Sequence, residues 1–323
     1  MTGTTTENQQ PGRPRRAARL RIAVLACTVP ALCVAGWYGR QALADGHGAR
    51  PAAVAPSVGE PSDGTRSLPP STDDASGSPS SADAGGSPSA GSGGPAGSGP
   101  LAGRTVLLDP GHNTGNAAHT TEINRPVDIG NARKECDTTG TSTNAGYSEA
   151  EYTLDVVHRA REILRARGAN VVLTQDGDRP WGPCIDERAR IGNTAKADAA
   201  VSVHADGAPG SAHGFHVIMP GKVVAGAADT SGIVDPSQRL GVLLRDTFKA
   251  GTGEPYATYI GKDGLDTRTD LGGLNLSRVP KVFIECGNMR NAEDAGRMTD
   301  PQWRQKAAQA VADALTAYLT AGH

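Results

Sequence analysis

The fold is decided by residues 105–112, which read Thr-Val-Leu-Leu-Asp-Pro-Gly-His. A short run of consecutive aliphatic residues is typical of a strand that is buried on both faces of a parallel sheet. The Asp-Pro-Gly turn ends this strand and leaves His112 just beyond its carboxyl end. Because ligands of open α/β sheets bind at the carboxyl ends of the strands, the segment predicts both the fold and the edge that carries the functional site.

Strand and helix patterns alternate after this segment. Apolar runs predict further strands at residues 170–174, 199–203, 215–219 and 281–284. Periodic apolar positions predict helices at residues 149–167, 186–196, 235–249 and 301–319. Residues 113–147, rich in Asn, Thr and Gly, are expected to form a loop. We therefore predict a single α/β domain with a mostly parallel central sheet flanked by helices on both faces, and an active site at the strand C-terminal ends.

Capping residues indicate where two of these helices begin. Ser148 is the expected N-cap of the first, and Glu151 completes a capping box with it. Asp235 is the expected cap of the third, with Pro236 at the first helical position. Glu149 therefore opens the first helix.

The N-terminal third has a composition unlike the rest. Arginines are frequent in residues 13–21, an apolar run covers residues 22–38, and Ala42-Leu43-Ala44, a pattern suitable for signal cleavage, follows. This order predicts a signal peptide in residues 1–44, with an uncleaved signal anchor as the alternative. Residues 45–102, rich in Gly, Ser, Pro and Ala, predict a disordered linker, and residues 103–323 the catalytic domain. Either signal places that domain outside the cytoplasm.

Charge excludes one class of partner. The 323 residues carry 32 Lys and Arg against 34 Asp and Glu, for a formal net charge of −2. No basic cluster follows the N-terminal arginines, so a nucleic-acid partner is not expected. No internal repeat suggests an oligomer, and we expect a monomer.

Two histidines and two glutamates carry the chemistry. His112 and His204 follow predicted strands, and Glu149 opens a helix. Two imidazoles and a carboxylate are the ligand set of a catalytic zinc with one open position, so one Zn²⁺ ion is expected. Glu285 follows the last predicted strand, where a general base is required. A single histidine in a folded domain more often makes hydrogen bonds than binds a metal. Glu149 alone would more often be a carboxylate that stabilises the start of a helix. The assignment of each residue as a metal ligand therefore depends on the other two.

The cysteines are consistent with export. Of five, Cys27 and Cys33 lie in the predicted signal. Cys136 and Cys184 lie in polar, irregular segments of an exported domain, which favours a disulfide between them. Cys286 follows Glu285 at a buried strand end and is expected to be a small core residue.

Four separated motifs carry a resemblance to a known family. They are Asp-Pro-Gly-His at 109–112, Glu149 ahead of a hydrophobic helix, Ser-Val-His-Ala at 202–205, and Ile-Glu-Cys-Gly-Asn at 284–288. In this order they resemble the zinc-dependent N-acetylmuramoyl-L-alanine amidases, over essentially all of residues 103–321. The resemblance implies that His112, Glu149 and His204 hold the zinc and that Glu285 is catalytic.

The resemblance also implies the substrate and the bond that is cut. The substrate would be peptidoglycan or its muropeptides, cleaved between the lactyl group of N-acetylmuramic acid and the L-alanine of the stem peptide. Substrate contacts are expected from Asp270, Leu271 and Asn275, in the loop before the last strand, and from His213. Two alternatives stay open: a zinc peptidase acting within the stem peptide, and a non-catalytic wall-binding regulator.

Two departures from the commonest family pattern concern loop shape. Asn113 stands where a glycine usually follows the histidine, and the stretch before Glu149 is long, as in actinobacterial members. No inserted helix of the kind that blocks the site in regulated members is visible after Asp206. We therefore expect an open groove over the zinc.

Overall fold

The computed structural model describes residues 98–321. The predicted signal in residues 1–44, with Cys27 and Cys33, and most of the predicted linker lie outside the described residues. Within the described range, no helix is both long enough and apolar enough to span a bilayer. Leu101 belongs to the stretch predicted as linker, yet it is fully buried in the core, and its backbone N–H donates to the Arg167 carbonyl at 2.9 Å. The folded domain thus begins before Gly103, the first residue that the sequence assigns to it.

A six-stranded sheet forms the centre of the domain. In chain order the strands are β1 (Thr105–Pro110), β2 (Pro126–Asp128), β3 (Arg133–Glu135), β4 (Asn170–Leu173), β5 (Ala199–Asp206), β6 (His216–Pro220), β7 (Val224–Ala225), β8 (Ala228–Asp229), β9 (Leu265–Arg268) and β10 (Lys281–Asn288). The central sheet has the order β4-β1-β5-β10-β6-β9. All its pairs are parallel except β10 with β6. The predicted mostly parallel sheet is confirmed.

Helices cover both faces of this sheet. They are α1 (Thr120–Ile123), α2 (Glu149–Ala166), α3 (Ile185–Ala195), α4 (Val234–Thr252), α5 (Gly272–Asn275), α6 (Ala292–Thr299) and α7 (Pro301–Thr320), with a 3₁₀ turn at Asn116–Ala118. Along β1, Val106 and Leu108 join the large core cluster shared with α2, α4 and α7, whereas Leu107 joins a smaller cluster with Ala197 and Val279. Side chains that alternate between two buried clusters confirm the sandwich.

Helix boundaries follow local capping. Ser148 accepts from the Glu151 N–H, and the Glu151 carboxylate accepts from the Ser148 N–H, so the predicted capping box is present. Asp235 was expected to cap α4, but the observed cap is Ile233, two residues earlier, because the Ile233 and Val234 N–H groups both donate to the Thr230 carbonyl and extend the helix backwards. Pro236 is therefore the third helical residue, still within the first turn, where no N–H partner is needed.

The segment predicted as a loop, residues 113–147, holds structure of its own. It contains the 3₁₀ turn, α1 and the β2–β3 hairpin. A disulfide joins Cys136, just after β3, to Cys184, just before α3. The long connection is therefore fixed to the domain beside the functional edge of the sheet.

A buried carboxylate pair lies beside the carboxyl end of β10. Glu254 and Asp294 are each 1% exposed, and Arg297 Nη1 lies 3.0 Å from Glu254 Oε2. The Asp294 carboxylate accepts backbone N–H groups from Gly214 at 2.8 Å and Asn288 at 2.9 Å. Burial and the charge of Asp294 raise the pKa of Glu254 from 4.5 to about 8, against the effect of Arg297.

This carboxylate makes stability depend on pH. Because the folded-state pKa of Glu254 lies above its unfolded value, the folded protein binds more protons between pH 4.5 and 8. The free energy of unfolding should therefore fall as the pH rises through this window, by up to a few kcal/mol. Glu254→Gln should flatten the dependence, measured by urea unfolding from pH 5 to 9. Glu162→Gln, a change at an exposed position, should keep the wild-type slope, and equal slopes in all three proteins would contradict the assignment.

Candidate metal centre

The three predicted ligand side chains converge at one edge of the sheet. His112 follows β1, Glu149 is the first residue of α2, and His204 lies in β5. One ligand atom from each lies within 4.8 Å of the others. His112 Nε2 is 3.1 Å from Glu149 Oε1, and His204 Nδ1 is 2.9 Å from the same oxygen. Three residues that span more than ninety sequence positions thus bring their metal-ligand atoms close together.

Backbone geometry makes this convergence possible. His112 has a left-handed φ of 61°, which turns its side chain back across the sheet edge. A Cβ at Gly111 would lie 2.5 Å from His204 Nδ1, so only glycine fits there. Gly140 has φ 72°, and a Cβ at this position would lie 2.8 Å from both Glu149 Oε2 and His112 Cδ2. Phe283 stacks on the His204 ring at 5.1 Å between centroids and fixes its plane.

The cluster strongly favours positive charge. Burial disfavours protonation of His112, but the Glu149 and Asp137 carboxylates outweigh it and raise the pKa of His112 to about 10. Burial likewise opposes ionisation of Glu149, yet the two histidines hold the pKa of its carboxyl well below the usual range. A pair of imidazoles around a buried, ionised carboxylate therefore fits a divalent cation, and the nitrogen and oxygen donors are those that zinc prefers.

A buried ionic network supports the turn that carries His112. Arg188 Nη1 donates to Asp109 Oδ1 at 2.8 Å, and its Nη2 donates to Asp137 Oδ2 at 2.9 Å and to the His112 carbonyl at 2.9 Å. Lys281 Nζ donates to Asp109 Oδ2 at 2.9 Å. His112 Nδ1, the ring nitrogen that faces away from Glu149, lies 3.1 Å from the Thr138 carbonyl oxygen and 3.3 Å from Asp137 Oδ1. No motif in the sequence links Asp137 to His112, and the signal for the pair of Lys281 and Asp109 is a lysine that opens an apolar strand.

Glu285 lies beside the three ligand side chains. Its strand β10 pairs it with His204 on β5 and with His216 on β6. Burial, followed by the charges of Asp206 and Glu149, raises the pKa of Glu285 well above its usual range. Among the described residues, it is not part of the converging ligand group of His112, Glu149 and His204.

A cleft of about 280 Å³ runs past these residues and is called the metal cleft here. Its lining includes His112, Glu149, His204, Asp206, Arg268 and Glu285. Of the described residues that line it, only Glu149 belongs to a helix. The His112 and His204 side chains keep 13% and 16% of their surface exposed. This geometry agrees with the open groove expected from the sequence.

A second cavity, of about 250 Å³, adjoins the metal cleft and is called the side cavity here. The two share His112, Thr138, His204, Leu271 and Phe283. The side cavity extends between the β2–β3 hairpin, α3 and α5, with Ile185, Gly272 and Gly273 in its walls. It lacks Glu285, so the proposed base faces only one of the two spaces.

The predicted substrate residues have different environments. Leu271 lines both spaces, and Asp270 lines the side cavity. Asn275 is fully buried, and its amide donates to the Asn131 side chain and the Thr269 carbonyl, so its predicted substrate contact is wrong. His213 lines neither space and contacts Thr258 through its backbone, which gives no support to a substrate role.

The remaining thiol has no catalytic environment. Cys286 is fully buried in the core, and burial raises the pKa of its thiol well above the usual range. A nucleophilic cysteine requires the opposite shift and access to substrate.

Sequence comparison gives the class to which this fold and site belong. The family model described as N-acetylmuramoyl-L-alanine amidase matches residues 106–317, which include all four motif segments. The chain belongs to this family, as its motifs indicated.

Relatives and solved structures agree with the assignment. The chain is 40% identical over 220 residues to the N-acetylmuramoyl-L-alanine amidase Rv3717 of Mycobacterium tuberculosis, covering 68% of this chain and 88% of that protein. The amidase Ami1 of Mycobacterium smegmatis matches with a TM-score of 0.63 and 39% identity, over 70% of this chain and all of that one. Ami1 of Mycobacterium abscessus matches with a TM-score of 0.62 and 44% identity, over 68% of this chain and 100% of that one.

Proposed function

We propose that the protein is a zinc-dependent N-acetylmuramoyl-L-alanine amidase that hydrolyses the amide between the lactyl group of N-acetylmuramic acid and the L-alanine of the stem peptide. The observation that carries the proposal is the convergence of His112, Glu149 and His204 in one cleft with a fourth, separate carboxylate, Glu285. Membership in the amidase family supplies the bond and the polymer. The substrate is peptidoglycan or its muropeptides.

His112, Glu149 and His204 would hold one Zn²⁺ ion. When bound, the ion would supply Lewis-acid chemistry: it would polarise the scissile carbonyl and make the attacking water more acidic. Glu285 accepts the proton of the attacking water and delivers it to the departing amine.

Digestion of purified peptidoglycan with the zinc-loaded protein tests this function. Mass spectrometry of the released ends should find stem peptides that begin with a free L-alanine amino group. New ends elsewhere in the peptide would instead identify a stem peptidase. Absence of release by zinc-loaded protein would identify a wall-binding regulator.

Export and a monomeric state are part of the same proposal. The arginine-rich start and apolar run within residues 1–44 support delivery across the membrane, either cleaved or retained as an anchor. A substrate in the cell wall requires that location. Edman sequencing of the protein recovered from medium and from membranes distinguishes cleavage from anchoring.

Asp137 should orient His112 for metal binding. Outer carboxylates that hydrogen-bond a ligating histidine fix its ring, and their loss typically lowers metal affinity by about 10- to 100-fold. Asp137→Asn should therefore weaken zinc binding by about that factor, measured by competition with a chromogenic chelator. Asp246→Asn, at a position 55% exposed on α4, should leave affinity unchanged, and an unchanged Asp137→Asn affinity would remove Asp137 from the site.

A further inference from the structure

One cation lines the metal cleft. Besides the two histidines, the charged residues of its described lining are the carboxylates Glu149, Asp206 and Glu285 and the guanidinium of Arg268. Arg268 lies at the end of β9, next to Pro220 of β6. Three acidic side chains repel an anionic ligand, so Arg268 is the side chain of this lining that would attract one.

The guanidinium of Arg268 is held in a fixed orientation. Its Nε and Nη2 donate to the two carboxylate oxygens of Asp270, each at 2.7 Å. Asp270 is itself held by Lys134 Nζ at 3.0 Å. Nη1 has no hydrogen-bond partner among residues 98–321, and the side chain is 34% exposed. An oriented guanidinium with a free edge is suited to bind a carboxylate.

Glu285 determines which part of a substrate lies near Arg268. The proton that Glu285 delivers must reach the amine that leaves with the peptide. Glu285 lines the metal cleft, as Arg268 does, but not the side cavity. The peptide therefore extends along the cleft towards Arg268. The acyl portion of the substrate then occupies the side cavity, where Ile185, Leu271 and Phe283 form apolar walls.

We infer that Arg268 is a specificity residue that binds a free carboxylate on the peptide, close after the L-alanine. This inference rests on the proposed amidase function. In peptidoglycan stem peptides the residue after L-alanine is a glutamate joined through its side chain, so its α-carboxyl group is either a free carboxylate or an amide. Arg268 thus distinguishes the unamidated stem from the amidated one.

Two soluble N-acetylmuramoyl peptides test the inference, identical except for a carboxylate or a carboxamide on that residue. Wild type should prefer the carboxylate substrate. Arg268→Gln should lower kcat/KM on it by about 10- to 100-fold, mainly through KM, because a charge-assisted hydrogen bond is lost. The carboxamide substrate should change less than about threefold, so the preference disappears. Arg268→Lys should restore part of it.

Two further variants separate binding from indirect effects. Lys134→Gln removes the other partner of Asp270 but leaves the guanidinium of Arg268 in the metal cleft, so it should reduce the preference less than Arg268→Gln does. Arg190→Gln, at a position 67% exposed on α3, should leave both rates unchanged. If Arg268→Gln slows both substrates equally, the inference is wrong. If zinc-loaded wild type cleaves neither substrate, the proposed function fails instead.

Discussion

Replacing Glu285 with alanine is expected to lower peptidoglycan hydrolysis by about 10²- to 10⁴-fold, the usual contribution of a positioned general acid and base. The variant should still hold one zinc ion. Glu285 lies in the metal cleft but outside the group of converging ligand atoms, so its removal takes away a proton carrier and leaves the three ligands in place.

Metal content and turnover must be measured on the same preparations. Zinc per chain by atomic emission should be equal in wild type and Glu285→Ala, while kcat differs. Glu285→Gln should behave like the alanine variant, since it keeps the shape but cannot exchange a proton. Glu293→Gln, at a side chain 75% exposed on α6, should retain wild-type turnover. Loss of zinc from Glu285→Ala would show that the assigned functions of the carboxylates are wrong.

The sequence predicts the first strand and its turn because the local pattern allows few solutions. Three aliphatic residues followed by Asp-Pro-Gly must end a buried strand, and the capping box at Ser148 and Glu151 marks the start of α2 from side chains three residues apart. Local signals of this kind are sufficient to place both His112 and Glu149 at the functional edge of the sheet.

Strand lengths could not be predicted in the same way. In the sequence, His204 and Glu285 each follow an apolar run, so the strands that became β5 and β10 are predicted to stop at residues 203 and 284. In the structure, β5 and β10 continue together to Asp206 and Asn288, because each satisfies the backbone of the other. Glu285 and His204 are consequently paired within strands and do not follow them.

Contacts between segments that are distant in the sequence could not be predicted either. Lys281 and Asp109 are 172 positions apart and form a fully buried ion pair. Asn275 looked like an accessible amide in a loop, but it is buried against residues near 130, whose position depends on the folding of the whole 113–147 segment. No sequence motif marks Arg268, and only the lining of the metal cleft shows which charged side chains lie near it.

Glu149→Gln is expected to lose zinc, and with it activity. The Oε1 atom lies within 3.1 Å of a nitrogen from each histidine, so the carboxylate is placed to complete the ligand group. The loss of affinity should exceed the 10- to 100-fold effect of an outer partner such as Asp137. Zinc content after dialysis and the zinc-induced rise in Tm report this directly, because a ligand that binds only the folded state raises stability by an amount that grows with the logarithm of its free concentration relative to its Kd.

The alternative for Glu149 is a helix-start carboxylate that stabilises α2, and a neighbouring residue provides the matched control. Glu151 opens the same helix, and glutamine at this position can still complete the capping box. Glu151→Gln should therefore keep zinc and the zinc-induced rise in Tm. Glu149 also accepts the Thr141 and Ala205 N–H groups, so Glu149→Gln should lower the Tm of the metal-free protein as well. If Glu149→Gln lowers that Tm but still binds zinc with wild-type affinity, Glu149 stabilises the loop and helix only, and the metal has two protein ligands.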